Sequence, residues 1–91
     1  MPSYGWQAIV SQMKYVYLFK SLSHPDQRYI GCTADLAARL KQHNQGRSPH
    51  TAKFRPWQVH VAIRFQEDKR AEEFERYLKS GSGHAFAKKH F

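Results

Sequence analysis

The chain predicts an α+β domain: a three-stranded antiparallel sheet flanked by helices, in the order β-β-α-β-α-α. Three observations carry this. Two short apolar runs, at 15–19 and 28–32, flank a polar turn that contains Pro25 and Asp26, the pattern of a hairpin. Trp57, Val59, Val61, Ile63 and Phe65 alternate with Gln58, His60, Ala62, Arg64 and Gln66, the period of a strand with one face on the core. Apolar residues at helical spacing follow the hairpin and the third strand: Leu36, Ala37 and Leu40, then Ala71, Phe74 and Leu78. Strands packed under helices on a layered sheet make a small α+β sandwich.

Each element has its own local reason. The first strand is expected over 14–20 and the second over 27–32, joined antiparallel because the connection is short. Strand period two puts Tyr15 and Tyr17 on one face and Val16 and Leu18 on the other. Gly31 lacks a side chain, so a ligand or another backbone can approach there. The first helix starts at Thr33 or Asp35, both good N-caps. Its inward stripe is Leu36, Ala37, Leu40 and Asn44, and Gly46 stops it. Arg39 and His43 sit four apart, on one face. Residues 47–56 read as a basic loop suited to phosphate contact. A second helix is expected over 68–79, with Glu72 and Glu73 outward and Glu75 bordering the inward face. Gly81 and Gly83 break the chain before a short helix over 84–90.

With 91 residues, one domain is the default. Residues 14–91 form it, and residues 1–13, which lack a clear period, read as an N-terminal extension. Fifteen Lys and Arg against seven Asp and Glu give +8, which points to a polyanionic partner, nucleic acid first among them. Cys32 is the single cysteine, so an internal disulfide and a cysteine zinc site are excluded. The six histidines lack tight ligand spacing. No apolar run is long enough to cross a membrane, and no partner membrane is expected. The first residues do not read as a signal peptide. A reducing, cytoplasmic setting is the expectation.

A phosphodiester-cleaving site needs an activated water, a holder for developing charge and a stabilised leaving oxygen. A divalent cation on a carboxylate supplies the first and last. On the residues alone, Tyr17 and Tyr29 also read as packed core tyrosines, Arg39 and Glu75 as solvated helix charges, and His43 as a surface histidine.

The tripeptides Tyr15-Val16-Tyr17 and Tyr29-Ile30-Gly31, followed by Arg39 ten residues after Tyr29, resemble the GIY-YIG nuclease family. The second tripeptide matches letter for letter. The first keeps Tyr17 but has Tyr15 for glycine and Val16 for isoleucine. Ala71, Glu75 and Lys79 match the family's Ala-x-x-x-Glu-x-x-x-Lys helix. The whole is similar to the small nuclease module of UvrC, which has a lysine where this chain has Cys32. Many members also carry an asparagine near the C-terminus, and residues 83–88 here have none.

The resemblance implies a metal-dependent DNA endonuclease, structure- or damage-directed, serving DNA repair or recombination. It implies one Mg²⁺ or Mn²⁺ on Glu75 and Arg39 on the scissile phosphate. Tyr17 and Tyr29 would position or activate water, one of them as general base if its pKa were lowered. His43 would bond a phosphate oxygen or relay a proton. Lys41, Arg47, His50, Lys53 and Arg55 would hold the DNA backbone, with Thr51 beside them as a contact candidate. No reader of base sequence is visible, so a protein partner or the shape of the DNA supplies specificity. The absent asparagine leaves an alternative: a catalytically inactive module that binds nucleic acid. A third reading is an interaction module for another acidic partner.

Overall fold

A computed structural model describes residues 13–91. The expected extension therefore lies, except for Met13, outside the described residues. Strand β1 (Lys14–Ser21) is central, with β2 (Arg28–Thr33) on one side and β3 (Trp57–Phe65) on the other, both antiparallel to it. Helix α1 (Leu36–Asn44) and a single turn, α2 (Pro49–Ala52), follow the hairpin. Helices α3 (Asp68–Leu78) and α4 (Gly81–His90) follow β3. The turn α2 lies inside the segment expected to be an open loop. Among the described residues, no helix is long and apolar enough to cross a membrane.

The alternation of β1 builds two cores. Val16, Tyr17, Leu18 and Phe19 are all buried, because both sheet faces are covered. Val16 and Leu18 pack with Ala71, Leu78 and Ala87 from α3 and α4. Tyr17 and Phe19 pack with Trp57, Tyr29, Leu36, Leu40 and Phe54. Helix α1 thus lies on one face of the sheet, and α3 and α4 lie on the other.

Strand β3 departs from the expectation of one apolar face. Leu18 pairs with Val61 and Phe19 with Val59, so His60 is an extra residue and the strand bulges there. The bulge exchanges faces. Trp57 joins the Tyr17 core, while Val61 and Phe65 join the Val16 core. A strict period of two in sequence therefore serves both sides of the sheet.

Local chemistry sets the helix ends. Asp35 caps α1, its carboxylate accepting from the Ala38 N–H at 3.0 Å. Gly46 ends the helix region with φ +77°, a backbone conformation that favours glycine. The inward stripe of α1 differs from expectation: Ala37 is exposed and His43 is buried. Asn44 clamps β3 at both ends of its amide. Its Nδ2 donates to the Trp57 carbonyl at 3.0 Å, and its Oδ1 accepts from the Trp57 N–H at 2.6 Å.

Ser80 caps α4 by accepting from the Gly83 N–H, so both glycines lie in its first turn and do not break the chain. A Cβ on Gly83 would stand 1.7 Å from the Tyr77 carbonyl oxygen. Only glycine lets α4 pack this close to the end of α3. Glu72, expected to face outward, instead pairs with Lys14 at 2.8 Å. That bond draws the Lys14 pKa up and the Glu72 pKa down.

Candidate active site

Tyr17 sits at the middle of β1, directly across from Gly31 on β2. Its ring stacks on Phe19 with centroids 4.1 Å apart and on Tyr29 at 6.3 Å. The phenol leans over Gly31 so closely that a Cβ there would lie 2.2 Å from the hydroxyl oxygen. The missing side chain is therefore a slot in the edge strand, filled by the hydroxyl of its neighbour.

Two charged residues of the expected set come from helices on opposite faces of the sheet. From α1, the Arg39 guanidinium donates from Nη1 to the Tyr17 hydroxyl at 3.2 Å. From α3 comes Glu75, whose charge adds to burial, the main cause, in raising the pKa of Tyr17 and of Cys32. Glu75 is the more sheltered member of its ion pair, with a side chain 23% exposed. Its Oε2 accepts from Lys79 Nζ at 3.0 Å.

Burial dominates the titration of Tyr17 and pushes its pKa up to about 12, against the opposing pull of Arg39. Tyr17 therefore rests protonated at neutral pH, and a base role for it requires the metal and Arg39 to lower that value. Burial likewise pushes the Cys32 thiol up, with Glu75 adding to it, so Cys32 is no ready nucleophile.

His43 faces inward, 6% exposed. Its Nδ1 shares a hydrogen bond with Thr51 Oγ1 at 3.0 Å. Its ring lies against Tyr29 at 4.6 Å and against the edge of Phe19 at 5.5 Å. Burial and the charge of Arg39 lower its pKa. The histidine is therefore neutral at pH 7. Thr51 is itself buried, and its carbonyl accepts from the Trp57 indole N–H at 2.9 Å. It holds His43 in place and is not a surface contact for DNA.

Four of the five expected catalytic residues thus share one neighbourhood. Tyr29, Arg39 and His43 line a cleft of about 310 Å³ with Gln42, Arg47 and Ser48, and Tyr17 joins through its bond to Arg39. Glu75, the fifth, lies on α3 against the other face and does not line this cleft. Of the expected backbone-binding residues, Arg47 lines the cleft. Lys41, His50, Lys53 and Arg55 are exposed but do not line it. Lys53 Nζ lies over the Phe54 ring, and Arg55 Nε donates to the Ala52 carbonyl at 2.7 Å. The sequence reading overlooked Gln42, although its i+3 spacing from Arg39 puts the two on one helix face. Ser48 gave no such signal.

Among the described residues, no three His, Cys, Asp or Glu side chains cluster as metal ligands. Glu75 is the carboxylate expected to hold a metal, and its one side-chain partner in the structure is Lys79. One partly exposed carboxylate suits a hard cation that keeps most of its waters, such as Mg²⁺ or Mn²⁺, and does not suit zinc.

Comparison with known proteins agrees with the geometry. Residues 13–89 match the GIY-YIG catalytic domain. Over 51 residues the chain is 45% identical to the structure-specific endonuclease subunit SLX1 of Malassezia globosa. That alignment covers 52% of this chain but 11% of the relative, so the chain spans a small part of that protein's length. The match runs through both strands of the hairpin and all four helices, so this chain belongs to the GIY-YIG family.

Proposed function

We propose that this domain hydrolyses phosphodiester bonds in DNA as a structure- or damage-directed endonuclease in repair or recombination. The observation that carries this reading is the Arg39 guanidinium held at 3.2 Å on the Tyr17 hydroxyl, beside the cleft that Tyr29, His43 and Arg47 line with it. A guanidinium held on a phenol beside a cleft forms a place for a phosphate, and Glu75, on α3, is the acid that would hold the ion that polarises it.

Arg39 spends Nη1 on Tyr17 and keeps the rest of its fork for a phosphate oxygen. Tyr17, protonated, fixes that fork and offers its O–H to the reacting group. Tyr29 walls the cleft and packs against neutral His43. Glu75 is the residue that would hold a divalent ion, Mg²⁺ or Mn²⁺. When bound, such an ion supplies a more acidic water and stabilises the leaving oxygen. Arg47, at the cleft, carries further positive charge for the DNA backbone. The relative's description as a subunit supports a partner protein that directs the cut, and its structure-specific action supports branched or interrupted DNA as substrate.

The test is a nicking assay on duplex, nicked and branched DNA with Mg²⁺ or Mn²⁺. Wild type is expected to cut in a metal-dependent way. Glu75→Ala is expected to lose about a thousandfold or more in rate while still binding DNA. Equal cutting by both proteins removes the assignment. Binding without cutting by wild type establishes the alternative, a nucleic-acid-binding module that has lost its chemistry.

A further inference from the structure

A second depression lies beyond the cleft and outside the machinery described above. It has a volume of about 710 Å³ and runs beside β2, between that strand and α4. Its walls carry Arg28, Lys79, His84 and Lys88, faced by one acid, Asp26, and its lining includes Tyr29 and Ile30. Tyr29 lines both this groove and the cleft with Arg39, so the two adjoin at that residue. Lys79 lines the groove and pairs with Glu75. His84 and Lys88 are four apart on α4 and present one face. Among the described residues, Arg28, His84 and Lys88 make no ion pair.

We infer that this groove holds a single-stranded segment of the DNA substrate on one side of the scissile phosphate, the strand passing over Tyr29 from the cleft into the groove. The inference rests on the nuclease reading and adds to it the side on which the unpaired strand leaves. Basic walls with an aromatic residue at their end are the pairing that single-stranded nucleic acid uses: cations follow the phosphates, and Tyr29, half-buried where groove and cleft adjoin, is the residue a base would pass. The excess of cations over the single acid fits a phosphate chain better than a protein strand. The same track explains why a small domain with no reader of bases would favour branched or flapped DNA.

The test uses Arg28→Ala/Lys88→Ala, both at exposed positions, in a Glu75→Gln background that does not cut. Binding is measured by fluorescence anisotropy on a duplex with a single-stranded arm and on the same duplex without it. The control is Lys69→Ala/Arg70→Ala, which removes the same charge from the exposed start of α3. The expected result is a loss of about tenfold or more in affinity for the armed substrate, with the armless duplex little changed. The salt slope on the armed substrate should fall by about 1.4, at about 0.7 for each single-strand phosphate left without its cation.

Equal loss on both substrates, or equal loss in the control, overturns the inference in favour of general charge. Unchanged affinity for the armed substrate also overturns it, and leaves the free edge of β2 for a protein strand. Wild type that cuts DNA while the double variant binds as before sinks the groove alone. Wild type that binds no DNA sinks both proposals.

Discussion

Gly31 is the residue on which the site turns. Its missing side chain admits the Tyr17 hydroxyl, and that hydroxyl holds Arg39 at 3.2 Å. Gly31→Ala is expected to push the phenol aside and release the guanidinium. Cleavage should fall by about 100-fold, the scale of a 1 Å misplacement at a reacting centre. Stability should fall by about 1–3 kcal/mol, the scale of overpacking a filled core. Nicking rate and thermal melting measured on the same preparation separate the two effects. A variant that melts lower but cuts normally would show that Arg39 does not depend on Tyr17. The glycine was visible in the sequence as a place of close approach. What approaches it was not, because the approaching group is a tyrosine of the same sheet and not a ligand.

Among the elements, the hairpin, the main helices and their order were legible because short-range chemistry decides them: Asp35 caps, Gly46 stops, and Ala71, Phe74 and Leu78 repeat at helical spacing. The bulge at His60 was not. Its apolar residues keep a perfect alternation, and only the pairing with β1 reveals that Trp57 and Val61 face opposite ways. His43 was likewise hidden. The periodicity of α1 favours Ala37 over a histidine, yet Thr51, eight residues on, supplies the partner that lets the imidazole be buried. The close approach at Gly83 belongs at this scale as well, since it decides whether α4 docks. Gly83→Ala brings a methyl against the Tyr77 carbonyl and is expected to cost about 3 kcal/mol. For a domain of this size that lowers the melting temperature by roughly 12 °C or more, which calorimetry would read. Unchanged melting would mean that α4 is not part of the cooperative unit.

Between pH 7.5 and 5, the stability of the molecule as a whole is expected to depend on His43. The folded pKa lies below the ordinary 6.5, through burial first and Arg39 second. The neutral ring is therefore favoured by the fold, and below about pH 6.5 the unfolded chain binds the proton more readily. The resulting stability is fully present above that pH and is lost as pH falls through the folded value. Melting followed from pH 7.5 down to 5 should decline more steeply for wild type than for His43→Gln. Parallel curves would mean that the imidazole escapes to solvent at little cost.

The site's two charges come from separate layers, one helix above the sheet and one below it. Neither half of the molecule holds a working centre by itself. On the proposed reading, a chain still emerging from its synthesis, with α3 not yet laid down, has the guanidinium but lacks the acid. Cutting is then expected only after the helix that carries Glu75 has joined the sheet.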